Sequence, residues 1–163
     1  LKVLDLQRSE IWIGDEHDRL IKSIEECFPS QQRQRCVVHW MRNVHSKVSK
    51  IDLLQLLPLM EDLVGSRTKE SFDSAWKELN RAAPSKGKDN LLDWLNGTYH
   101  EISVYLNFPA IHWSRIMCTN SLERLNMELR RREKNIRIFP NEKSCLQLFG
   151  AKLQGYSEDW ISG

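Results

Sequence analysis

Apolar residues are spaced in two different ways along this chain. Over residues 10–14 (Glu-Ile-Trp-Ile-Gly) they bunch into a run too short for a helix, which predicts a strand ending at Asp15. Leu20, Ile21, Ile24, Cys27 and Phe28 then recur at helical spacing, closed by Pro29. After a polar stretch at 30–34, predicted as loop, Cys36-Val37-Val38-His39-Trp40 reads as a second, buried strand. Strand, helix, strand in that order predicts α/β character. From Met41 to Phe108 no alternating pattern remains. Phe72, Ala75, Trp76 and Leu79 mark one amphipathic helix. Leu91, Leu92, Leu95, Tyr99, Ile102 and Leu106 mark another, with Asp89 placed to cap it. Pro84-Ser85-Lys86-Gly87-Lys88 is a loop between them. Trp76 and Trp94 are expected to be buried. A helix follows from Asn120, then a break at Phe139-Pro140-Asn141, then a last helix from about Glu142 into Tyr156. The expected class is α/β, mostly helical, in three parts: 1–40, 41–108 (all-α) and 109–163.

Composition narrows the field. A chain of 163 residues with 40% hydrophobic positions and six tryptophans can bury a real core. The leucine-rich stretch 53–64 is interrupted by Pro58, Glu61 and Asp62, so it is not a membrane span. No secretory signal is present, which predicts a cytoplasmic protein. The first residue is Leu1, which leads us to expect a piece of a longer protein. Cys27, Cys36, Cys118 and Cys145 show no CxxC spacing, so buried thiols are expected rather than a disulfide scaffold. Net charge is only +2, but residues 124–137 hold six Lys or Arg against two Glu. Such a patch is a footprint for phosphate, although solvated helix faces often look the same.

Several residues have chemistry to offer. Glu123 sits near the start of the helix from Asn120; Asn120 can cap that helix, with Glu123 at its third position. Leu122, Leu125 and Leu129 would dock it on a core. Glu123 is thus either a capping-box glutamate or a carboxylate beside a basic face, the latter suited to a metal site acting on a phosphate backbone. Asp15, at a strand end, is either a metal ligand or a turn or N-cap residue. Cys36 and His39 have ligand-like spacing but no second pair. A buried thiol and a hydrogen-bonded imidazole are the simpler reading. Trp40 is either a core residue or a stacking platform for a base.

Read together, Gly14-Asp15-Glu16-His17, Phe28-Pro29, Gln34-Arg35-Cys36-Val37-Val38-His39 and Arg42-Asn43, then Phe108-Pro109, His112-Trp113, Thr119-Asn120-Ser121-Leu122-Glu123-Arg124-Leu125-Asn126, Arg130-Arg131-Arg132, Ile138-Phe139-Pro140-Asn141 and Trp160, resemble the C-terminal half of the Mutator-type (MULE-related) transposases of bacterial insertion sequences. The shared order of these motifs spans nearly the whole chain. The resemblance implies a partial RNase H-like fold, with an all-α insertion between the second and third carboxylates of a DDE site. Asp15 matches the second carboxylate and Glu123 the third; Cys36, His39, Asn120 and Asn126 match structural motif positions. The first catalytic Asp would lie upstream of Leu1, so this chain alone is expected to be inactive. The family usually has Ser-Asp-Gly where this chain has Gly14-Asp15-Glu16, and Thr where it has Cys118.

The implied function is metal-dependent phosphodiester hydrolysis and strand transfer in DNA transposition. Its cofactor would be Mg²⁺ or Mn²⁺, two ions in the complete site, ligated by Asp15 and Glu123. Arg124, Arg130, Arg131, Arg132, Lys134 and Arg137 would hold DNA phosphates. The implied partners are transposon ends, target DNA and further copies of the full-length transposase, in a bacterial, nucleoid-associated setting with no membrane. Two rival readings stay open: an inactive DNA-binding remnant, and a zinc-stabilised helical interaction module built on Cys36 and His39.

Overall fold

In the computed structural model, which describes residues 9–84 and 91–162, the first 119 positions form one compact unit and the remainder a second. The first unit begins with β1 (Ile11–Gly14), α1 (Asp18–Cys27) and β2 (Gln32–Arg35). β1 and β2 pair in parallel, Ile11 against Gln32 through Gly14 against Arg35. A parallel pair needs a long crossover, and α1 supplies it. The strand-helix-strand order agrees with the sequence reading, but the second strand lies elsewhere. Residues 32–35, predicted mostly as loop, form β2, while Val37–Lys47, predicted to open as a strand, is helix α2. Val37, Trp40 and Val44 are buried at helical spacing on α2, so packing overrode the β-branched Val37-Val38 pair.

β2 is exposed at Gln32 and buried at Gln34 and Arg35, where the polar side chains are partnered. Gln34 and Arg35 are both fully buried. Gln34 Nε2 donates to the carbonyls of Arg35 (2.6 Å) and Ile102 (3.1 Å), and its Oε1 accepts the Tyr105 N–H (2.8 Å). Buried polar groups are tolerated when partnered in this way.

After α2 come α3 (Lys50–Val64), α4 (Lys69–Ala82) and α5 (Leu91–Ile102). Short 3₁₀ turns at Val104–Asn107 and Ala110–His112 lead to α6 (Trp113–Ile116). Among the described residues from 41 to 108 there is no strand. The Asp89 cap and loop positions 85–88 lie outside the described residues. Local signals set the helix starts. Ser49 accepts the Asp52 N–H (3.2 Å) before α3, and Thr68 and Ser71 form a reciprocal capping box before α4. The core joins Trp40 and Val44 of α2, Leu56, Met60 and Leu63 of α3, Phe72, Trp76 and Leu79 of α4, and Leu91, Leu95 and Ile102 of α5. The Trp40 ring centre lies 5.8 Å from that of Trp76 and stacks at 6.0 Å on Trp94, which is partly buried. Its indole N–H donates to the Thr98 hydroxyl (2.9 Å).

The second unit is α7 (Asn120–Ile136) and α8 (Glu142–Ser162). Asn141 starts α8 by accepting the Ser144 N–H (2.9 Å), which explains the break read at Phe139-Pro140-Asn141. α7 buries no residue fully and Leu122 is exposed. The expectation that Leu122, Leu125 and Leu129 dock together on a core therefore fails at Leu122. No helix among the described residues is long and apolar enough to cross a membrane.

Candidate active-site carboxylate and basic helix

Asp15 directly follows β1, at the carboxyl end of a parallel strand. Its Oδ1 accepts the Glu16 N–H (2.7 Å), and its carbonyl accepts the His17 N–H (3.0 Å). This closes a tight turn before α1, whose N-cap position is His17. Asp15 is thus a turn residue and not the cap of α1. Its Oδ2 stands 4.0 Å from His39 Nε2, and the side chain is half exposed. The turn is braced from β2. Glu16 is ion-paired to Arg35 Nη2 and accepts from Asn43 Nδ2 (3.2 Å). The other arm of the Arg35 guanidinium reaches Glu101 of α5 at 2.8 Å.

Cys36 and His39 serve different neighbours. The Cys36 sulfur is fully buried and accepts the Thr119 N–H and hydroxyl, while His39 Nε2 faces Asp15. His39 lies on α2 and Cys36 just before it, which corrects their placement on a strand. Trp40 is fully buried, so it is a core residue and no platform for bases.

In the second unit, Glu123, Arg124, Asn126, Arg130, Arg131, Arg132 and Lys134 all lie on α7. Asn120 is the first helical residue, which places Glu123 fourth rather than third. Glu123 is partly buried and Arg124 exposed, on the first two turns of the helix. Arg137 ends the helix at φ 61°, with its N–H on the Glu133 carbonyl (2.9 Å). Successive helical residues turn by about 100°, so Arg130, Arg131 and Arg132 fan around the axis. Arg131 grips Glu128 through Nε (2.9 Å) and Nη2 (3.0 Å), and Arg132 Nε binds the same carboxylate (2.9 Å). These bonds hold the Glu128 carboxyl down at about 2 and raise the Arg131 guanidinium further above its usual range.

The donor chemistry at Asp15 suits a hard cation such as Mg²⁺, which prefers carboxylate oxygen. Among the described residues, however, no three His, Cys, Asp or Glu gather into a metal-binding group. A zinc site on Cys36 and His39 likewise has no further ligands there.

The sequence matches the transposase family described as "Transposase, Mutator family" over residues 1–163. The chain belongs to the Mutator family of transposases. It is 33% identical to the transposase for insertion sequence element ISRM5 of Rhizobium meliloti, over 99% of this chain and 40% of that protein. It is 32% identical to the transposase for IS256 in transposon Tn4001 of Staphylococcus aureus, over 99% of this chain and 41% of that protein. A more distant relative, the transposase for IS1081 of Mycobacterium tuberculosis, is 28% identical over 92% of this chain and 36% of its own length. The chain therefore spans about two-fifths of the length of the curated relatives it matches.

The resemblance carried by the motifs thus holds at family level. Arg35 and Asn43 belong to that pattern without an evident role in it, and Glu101 does not belong to it. The ion pairs of Arg35 and Glu101 and the Asn43 hydrogen bond to Glu16 are hidden in the sequence because β2 looks like a polar loop.

Proposed function

We propose that this chain supplies part of the catalytic domain of a DNA transposase, an RNase H-like core interrupted by the helices between Met41 and Phe108. In this reading Asp15 and Glu123 are two of its acidic metal ligands, with Mg²⁺ or Mn²⁺ as the ion. The observation that carries it is the setting of Asp15. One carboxylate oxygen is tied to the backbone of a tight turn at a strand's end, which leaves Oδ2 turned toward His39 on a half-exposed side chain. A side chain so restrained needs little reordering to take a ligand.

Such an ion would stabilise the attacking and leaving oxygens of a phosphodiester. The chain's own residues do the rest. The Glu16 N–H fixes the Asp15 rotamer, and His39 borders the outward oxygen. Arg124, Arg130, Lys134 and Arg137 offer cationic contacts to a DNA backbone. Arg131 and Arg132 are shared with Glu128 and contribute less. Transposon ends and target DNA are the substrates in this reading, and the full-length transposase acts as an oligomer in the bacterial cytoplasm.

The test is Asp15→Asn and Glu123→Gln, each in the full-length transposase. Cleavage at the element's ends should fall on the order of 10³-fold or more, the scale set by losing metal stabilisation of the transition state. DNA binding in chelator should be unchanged. Wild-type cleavage by either variant would remove that residue from the site.

A further inference from the structure

Arg35 of β2 touches both the Asp15 turn and the helical section. It lies opposite Gly14 in the parallel register, the residue immediately before Asp15. Its side chain is fully buried, over the face of Trp94 (5.3 Å to the ring centre). A buried guanidinium is costly unless its charge is met. Here it is met on two sides, by Glu16 through Nη2 and by Glu101 through Nη1 (2.8 Å). Glu101 is itself shared with Arg33 of the same strand (2.8 Å). Arg35 Nε is buried without a hydrogen-bond partner among the described residues, so the guanidinium is held by these two carboxylates rather than by a full ring of acceptors.

Glu16 has two tasks in this arrangement. Its backbone N–H holds Asp15 Oδ1, and its side chain is anchored by Arg35 and Asn43. The rotamer of Asp15 is therefore set by a residue whose own position is fixed from β2, α2 and, through Arg35, α5. Neither neutral hydrogen bonding nor Lys would replace the fork, because a planar guanidinium presents rigid donors to two carboxylates in diverging directions.

We propose that Glu16, Arg35 and Glu101 form an ionic clamp that positions Asp15 and links its geometry to the helical section at α5. Glu16 and Arg35 are then positioning residues for the metal-binding step, acting through Asp15. The inference rests on the reading of Asp15 as a metal ligand.

The experiment uses the full-length transposase, with Asp15→Asn, Glu16→Gln and Glu101→Gln. Glu16→Gln keeps the shape and the backbone N–H but removes the charge that anchors the turn. Three quantities are read: the Mg²⁺ concentration for half-maximal cleavage of end-bearing DNA, Mn²⁺ affinity by the electron-spin signal of free Mn²⁺ without DNA, and the melting temperature. Groups that orient metal ligands typically matter by about 10–100-fold in affinity. The clamp predicts a shift near the lower end, about tenfold, in both metal readouts for Glu16→Gln, with a smaller shift in the same direction for Glu101→Gln. Melting should fall as well for Glu16→Gln, since it leaves the buried Arg35 charge met by Glu101 alone, so the two metal readouts are what separate the clamp from a strut. If Asp15→Asn abolishes cleavage while Glu16→Gln keeps wild-type metal dependence, the clamp is overturned and the Asp15 reading stands. A lowered melting temperature with unchanged metal dependence also overturns the clamp and leaves these residues as a structural strut. If Asp15→Asn cleaves like wild type, both readings fall.

Discussion

The Cys36 sulfur accepts hydrogen bonds from both the backbone N–H (3.3 Å) and the hydroxyl (3.4 Å) of Thr119, a residue 83 positions away. Beside it, the Val37 N–H donates to the Met117 carbonyl (2.9 Å). The start of α2 is thereby fastened to the segment that closes the first unit.

This contact makes the thiol an acceptor with a structural task. Cys36→Ala removes the sulfur acceptor of two hydrogen bonds from the partly buried Thr119 and is expected to cost about 1 kcal/mol, the usual net worth of such a bond. Cys36→Ser keeps an oxygen acceptor and should cost less. Equilibrium urea unfolding checks the order, and equal losses would mean that packing volume, not the hydrogen bonds, matters at this position.

Trp40 gives a second test, inside the core. Its indole N–H has Thr98 Oγ1 as acceptor, and Thr98 in turn donates to the Leu95 carbonyl (3.0 Å). Thr98→Val keeps the shape but strands a buried N–H, for an expected loss of about 1–3 kcal/mol. Leu95→Ala, at a fully buried neighbour, opens a cavity and should cost about 2–5 kcal/mol. Urea midpoints of the two variants give the comparison; a neutral Thr98→Val would show that the indole finds another acceptor.

Glu128 and its arginines give a third. The carboxyl, held at about 2 by hydrogen bonds from Arg131 and Arg132, is ionised in the folded chain well below the ordinary glutamate value of 4.5. Because the folded value is the lower one, the pair's stabilising effect is complete above about 4.5 and fades as pH falls toward about 2. Carboxyl carbon NMR titration should show this low value in the wild type. It should return toward 4.5 when Arg131 and Arg132 are both replaced by Ala. At neutral pH, Glu128→Gln releases two guanidinium groups. DNA binding should then tighten, and its salt dependence should steepen by about one unit per added phosphate contact. An unchanged slope would show that Arg131 and Arg132 stay off the DNA.

Most of the helices, the first strand, the break before α8 and the family were legible in the residues alone. Helices α4 and α5 follow from apolar spacing, and the α8 start from Asn141, because these are local signals that neighbouring residues carry between them. The family was legible because its motifs keep their order along the chain. The second strand was not. Gln32–Arg35 contains no apolar residue, and its burial depends on partners at Glu16, Glu101, Ile102 and Tyr105 that no local window includes. Val37-Val38 looks like strand for the same reason in reverse. Its helical state is fixed by Trp40 and Val44 packing against helices contributed by distant parts of the chain. Periodicity reports a residue's burial only when burial means apolar contact. Where a charge is buried by pairing, as at Arg35, the pattern reads as surface, and only the folded chain shows which carboxylates meet it.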